Sequence, residues 1–131
     1  MAVDRSIIGL ASEPAVNEVE KGAIRKFAEA IGDPNPAYLR GELAPPTFPT
    51  TFRSKLPAVS LDLKRVLHGG QEFEYVRPIK AGDVITVVSR IADVVEKEGS
   101  LGQMTIYTFE AEGTDAAGRL VYRSRSTVIS R

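Results

Sequence analysis

Residues 32–38 read Gly-Asp-Pro-Asn-Pro-Ala-Tyr, and this run holds the best candidates for acid–base chemistry in the chain. Asp33 follows a glycine that can end a helix in the left-handed conformation, and Asn35-Pro36 can begin another. A carboxylate fixed in such a bend can be aimed at a bound molecule. Two roles are open to it: orienting or deprotonating a water, or accepting hydrogen bonds from the amides that follow, as turn aspartates commonly do. Asn35 suits the cap of the helix that Pro36 begins. Tyr38 offers a phenol, which ordinarily ionises near about 10 and is a poor base at neutral pH. His68 is the one histidine, and imidazole is the group that ordinarily titrates near neutrality. It can serve Asp33 only if its strand passes beside that turn. Otherwise it is a structural hydrogen-bonding group.

These residues need elements to position them. Ile24, Phe27, Ala28 and Ile31 fall at the spacing of an amphipathic helix that starts near Glu20 and stops at Gly32. Pro34 and Pro36 forbid its continuation. Before it, a short strand is expected near Val16 to Val19. Pro45, Pro46, Pro49 and Pro57 interrupt residues 39–65, which propensity alone reads as loop. After Val66 the pattern turns to strands: Phe73, Tyr75 and Arg77 alternate with Glu72 and Glu74. Further strand runs are Val84–Val95, Met104–Ala111 and Leu120–Ile129. Ala81-Gly82-Asp83, Glu98-Gly99-Ser100 and residues 115–118 are turn signals between them. Four long strands with short connections imply an antiparallel sheet covered by the helical first half. The pattern is α+β.

Composition narrows the chemistry. A chain of 131 residues is one domain, read as spanning residues 1–131, with room for a sizeable core. Lysine plus arginine equals aspartate plus glutamate at 17 each, so no net field recruits nucleic acid or an anionic membrane. With no cysteine and one histidine, thiolate catalysis, disulfides and multi-histidine zinc sites are excluded. The N-terminus shows neither a signal peptide nor a membrane span, and a cytoplasmic location is expected.

The 32–38 run resembles the Gly-Asp-x-Asn-Pro-Leu-His motif of the MaoC-like, (R)-specific enoyl-thioester hydratases. Leu67-His68-Gly69-Gly70-Gln71-Glu72-Phe73-Glu74-Tyr75, Arg77-Pro78-Ile79 and Ala81-Gly82-Asp83 resemble a second run of the MaoC-like dehydratases. The match is closest to the N-terminal half-domain of the fungal fatty-acid-synthase-like dehydratase type. Residues 44–48 (Ala-Pro-Pro-Thr-Phe) and 124–127 (Ser-Arg-Ser-Thr) fit that half too. The resemblance implies a hot-dog fold, a long antiparallel sheet wrapped around a central helix. It places that helix at Thr47–Leu56.

The resemblance also implies a chemistry, no cofactor, and a unit of two hot-dogs. In that family Asp and His share the work on water, and backbone N–H groups opening the central helix hold the thioester carbonyl. Here Tyr38 stands in the His position and Pro45-Pro46 where those amides are expected, and proline has no N–H. Three readings follow. The chain is the acyl-binding half of a hydratase or dehydratase whose partner hot-dog chain supplies Asp and His. Or it is a non-catalytic acyl-CoA-binding homodimer. Or it is a self-sufficient homodimeric hydratase using Asp33 with Tyr38 or His68. In each, the ligand is a thioester of coenzyme A or acyl carrier protein, and Asn35, Pro46, Thr47, Phe48 and Phe52 are the expected acyl-site residues. Arg53, Lys55, Lys64 and Arg65 are candidates for coenzyme A phosphates.

Overall fold

The computed structural model describes residues 5–54, 61–100 and 102–131. Its regular elements in order are β1 (Ala15–Glu18), α1 (Lys21–Ile31), α2 (Pro36–Leu39), β2 (Val66–Tyr75), β3 (Val84–Gly99), β4 (Gly102–Thr114) and β5 (Leu120–Ser130). The strands form one antiparallel sheet in the order β1-β3-β4-β5-β2. Among the described residues no helix is long and apolar enough to cross a membrane.

The α1 stripe does what its spacing dictates. Ile24 and Ala28 are fully buried and Phe27 packs against the core, while Ile31 runs past it and is nearly half exposed. The strands bury alternate side chains, as a one-sided sheet requires. Ile85, Val87, Ser89 and Ile91 of β3 turn inward beneath the helical layer. The inner core falls into two clusters. One gathers Ile24, Phe48, Ile79, Ile85, Val87, Val121 and Tyr122; the other gathers Ile91, Val94 and Phe109.

The helix expected over Thr47–Leu56 gives way to a single 3-10 turn, Phe48–Thr51, after which Phe52 is extended at φ −70°, ψ 144°. The reason is local. Thr50 and Thr51 are β-branched, and their hydroxyls bond back to the carbonyls of Thr47 and Phe48, which favours a tight turn over an α-helix. Lys55 and Leu56 lie outside the described residues. Asn17 of β1 then holds the outgoing chain, accepting the Arg53 N–H at 2.8 Å and donating to the Arg53 carbonyl at 3.2 Å.

The Arg77-Pro78-Ile79 and Gly82-Asp83 motif turns out to be a staple. Arg77 meets Asp83 at 2.8 Å and Asp115 at 3.7 Å, tying the β2–β3 turn to the β4–β5 turn. Asp83 also accepts the Lys80 N–H at 2.8 Å, and Asp115 caps its own turn through Ala117 and Arg119. Both carboxyls are held below their usual range. For Asp83, burial pushes upward, and the bonds and charges of Arg77 and Lys80 outweigh it. For Asp115 the Arg119 backbone N–H leads.

The two sheet edges differ. Past β1, residues 9–12 extend cover along β3, with Ser12 N–H on the Ser89 carbonyl at 2.7 Å and Gly9 N–H on the Ile91 carbonyl at 2.8 Å. On the other edge β2 pairs only with β5 among the described residues.

Candidate functional site

Two places under the sheet bear on chemistry: the turn at Asp33 and a cavity bounded by rings and hydroxyls. The turn grows out of the end of α1. Gly32 sits at φ 70°, ψ 27°, and its N–H and that of Asp33 both reach back to the Ala28 carbonyl. This double closure is the usual consequence of a left-handed residue after a helix. Asp33 Oδ1 accepts the Asn35 N–H at 3.0 Å, and Asn35 Oδ1 accepts the Ala37 N–H at 3.0 Å, capping α2. The carboxylate is thus half-buried and held in place by its own turn.

Tyr38 on α2 lies within electrostatic reach of Tyr75 on β2. Burial pushes the Tyr75 phenol above its ordinary range, and the nearby Tyr38 adds to the shift. Tyr122 is raised likewise, by burial first and by Tyr75 second. Tyr75 and Tyr122 are therefore neutral across the physiological range, and Tyr75 serves as a donor. The Tyr75 hydroxyl donates to the Pro46 carbonyl at 2.5 Å. At the place where the resemblance looks for amide donors, Pro46 has no N–H and its carbonyl is already engaged.

His68 does not join this group. The β2–β5 register pairs Tyr75 with Tyr122 and His68 with Val128. Those partners stand six positions apart on β5, a distance of about 20 Å along the strand. Tyr38, five residues after Asp33, belongs to the Tyr75 end. His68 is exposed at the other.

The remaining expected residues divide. Asn35 caps α2, and Pro46 and Thr47 are exposed near the Tyr75 hydroxyl. Phe48 is core, edge-on to Phe27 at 5.5 Å and to Phe52 at 5.6 Å. Phe52 bridges to Tyr122 at 6.3 Å and forms part of the cavity wall. The basic candidates separate: Arg53 is held by β1, whereas Lys64 and Arg65 precede β2. Four strand spacings, about 19 Å, lie between those edges. Lys55 lies outside the described residues.

The cavity is a half-open recess of about 140 Å³ beneath the sheet. Phe52, Phe73, Phe109 and Tyr122 supply rings, while Ser54, Ser89, Ser124, Ser126, Thr50 and Gln71 supply polar groups. Ser89 is buried, and its hydroxyl pairs with that of Ser54. These serines and Tyr75 are what reasoning on residue types missed. Ser124 and Ser126 stand two apart on one strand and so share a face, a signal present in the sequence. The Ser54–Ser89 contact spans 35 positions and left none.

A wider groove on the outer face, about 780 Å³, is crossed by charge pairs. Glu110 accepts from Arg90 at 2.7 Å and Arg125 at 2.8 Å, and Glu112 meets Arg123 at 3.7 Å. Five of its charges are thus paired across adjacent strands, while Glu72 and Glu74 line it without an ion pair among the described residues. Among the described residues no cluster of three or more His, Asp or Glu could hold a metal ion.

Comparison with known proteins fits this geometry. A family model described as "FAS1-like, dehydratase domain region" matches residues 6–124. UPF0336 proteins of Streptomyces coelicolor and Streptomyces griseus are 37% and 38% identical, each match covering all of this chain and 97% of theirs. Among solved structures, the truncated HadBC (3R-hydroxyacyl-ACP dehydratase) complex of Mycobacterium tuberculosis aligns with a TM-score of 0.77 at 24% identity, over 95% of this chain and 97% of that one. The (R)-hydratase of A. caviae involved in PHA biosynthesis aligns at 0.63 and 15% identity, over 92% of this chain and 94% of that one. The chain belongs to the FAS1-like dehydratase domain family, and its fold is the hot-dog fold of the MaoC-like hydratases and dehydratases.

Proposed function

We propose that this chain is the acyl-binding half of a two-hot-dog hydratase or dehydratase, acting on 2-enoyl or 3-hydroxyacyl thioesters. A partner hot-dog chain supplies the Asp and His that move the proton. The observation that carries this reading is the company Asp33 keeps. Its side chain has one hydrogen-bond partner among the described residues, the Asn35 N–H of its own turn. Tyr38, five residues on, lies toward Tyr75, while the one imidazole is on the order of 20 Å from Tyr75 along the strand. A carboxylate without an imidazole can hold its turn but lacks the second proton carrier of the family's pair.

Two further features support a second chain. Among the described residues the β2 edge presents ten residues of strand with no second neighbour, and Leu67 and Val76 are exposed on it and beside it. Open edges of this length are normally covered, and a second sheet covers them by adding strands. HadBC and ChsH1–ChsH2 of Mycobacterium tuberculosis, both similar in fold, are complexes. The acyl carrier on this reading is coenzyme A or acyl carrier protein.

The test is crotonyl-CoA hydration by the chain alone, by a MaoC-like subunit with an intact Asp and His encoded beside it, and by the mixture. The chain alone should stay at background, and the mixture should exceed the partner alone by about tenfold or more, the scale of one well-placed group. A mixture no faster than the partner overturns the subunit reading. Acyl-CoA binding without turnover in any mixture favours the binding-protein alternative.

A further inference from the structure

The cavity's position and chemistry say which acyl tails fit it, and this step rests on the acyl-binding reading above. In register across the sheet, Ser89 of β3, Ala111 of β4, Ser124 of β5 and Phe73 of β2 form one row. The next row is Ile91, Phe109, Ser126 and Gln71. Together they set three serine hydroxyls and one amide among four apolar side chains on the inner face, where the two apolar clusters meet. An ordinary hydrocarbon tunnel would carry aliphatic side chains at these positions.

These polar groups have unused capacity. Ser89 and Ser54 satisfy each other, and the Ser89 N–H donates to the Ser12 hydroxyl at 2.9 Å. Ser124, Ser126 and Gln71 make no side-chain hydrogen bond among the described residues, yet all three line the cavity. A hydrocarbon placed against them strips water from donors and acceptors and returns nothing. An oxygen-bearing group gives them a partner.

Size sets the second limit. A volume of about 140 Å³ is close to the engineered cavity of about 150 Å³ that holds benzene, so the recess itself holds roughly four to six carbons and a longer tail extends out of its open side. From the Tyr75–Tyr122 row, the Ser124 level is about 7 Å further along the strand. A tail of about six carbons laid along β5 from the Tyr75–Tyr122 row places its far end at the serines. We propose that this site selects short acyl chains and favours those that carry a hydroxyl or oxo group near the tail end, with Ser124, Ser126 and Gln71 as its specificity-determining residues.

The test is calorimetric titration of the full chain with butyryl-, hexanoyl-, dodecanoyl- and 6-hydroxyhexanoyl-CoA. Affinity should rise from butyryl to hexanoyl by about fourfold per methylene, then stop rising. The hydroxylated ligand should bind at least as tightly as hexanoyl-CoA. The Ser124→Ala, Ser126→Ala double variant should reverse that order by about tenfold, the worth of one lost hydrogen-bonded group. Ser126→Leu, which fills the space, should weaken hexanoyl binding while its melting temperature shows the fold intact. Dodecanoyl-CoA binding at least tenfold tighter than hexanoyl-CoA, or an unchanged ligand order in the double variant, overturns the inference and leaves the acyl-binding reading standing. No binding of any acyl-CoA at millimolar concentration removes both.

Discussion

Tyr75 donates its hydroxyl to the carbonyl oxygen of Pro46 at 2.5 Å, joining strand β2 to the proline-broken segment that precedes it. The bond lies where the resemblance looks for amide donors to a thioester oxygen, and here the backbone presents an acceptor that is already used. Tyr75 also closes a run of rings, Phe27–Phe48–Phe52–Tyr122–Tyr75, that roofs one end of the sheet. Removing the hydroxyl alone, with Tyr75→Phe, keeps the ring packing and should cost about 1 kcal/mol in urea denaturation.

Alkali tests the same rings. Burial raises the phenols of Tyr75 and Tyr122 above the value of an unfolded tyrosine. Their stabilisation is complete below about pH 10, where the unfolded phenol is neutral, and is lost as pH rises toward the folded values. The urea midpoint should therefore fall steeply above about pH 10. Tyr122→Phe should flatten that fall, and an equally steep one contradicts the assignment.

Gly113 is needed for contact. A Cβ built there would lie 2.1 Å from a Tyr122 ring carbon, so the ring lies flat against bare backbone. Gly113→Ala should destabilise by about 2 kcal/mol or more by forcing Tyr122 off its seat. Thermal denaturation reads the loss.

Acid tests the staple. Asp83 is depressed because the Arg77 and Lys80 interactions overcome its burial. A depressed carboxyl stabilises the fold above the unfolded value, about 3.9, and that stability is lost as pH falls through the folded one. Asp83→Asn should lose about 2 kcal/mol at neutral pH and show a weaker dependence on pH below about 4 than the parent chain.

Local patterning carried most of the fold. The stripe of Ile24, Phe27 and Ala28, the stop at Gly32, the cap by Asn35 and the four long strands all arise from neighbours within a few residues. The Thr47–Leu56 helix came from the resemblance, and the hydroxyls of Thr50 and Thr51 worked against it. Site geometry was less legible, because it depends on register. His68 stands three residues ahead of Gln71 in the chain, yet only the β2–β5 pairing, with its irregularity between His68 and Gly70, sets how far it lies from the Tyr75–Tyr122 row. The Tyr75–Pro46 bond and the Ser54–Ser89 pair likewise join residues 29 and 35 positions apart.

The central claim is that Asp33 holds a turn while the proton is moved on another chain. Its most direct test is Asp33→Asn in the active mixture with the partner subunit, assayed on crotonyl-CoA. Asparagine keeps an oxygen for the Asn35 N–H, so the turn survives the change. The account predicts a rate within about twofold of the parent mixture. A loss of about a hundredfold or more, the scale of a missing general base, contradicts it.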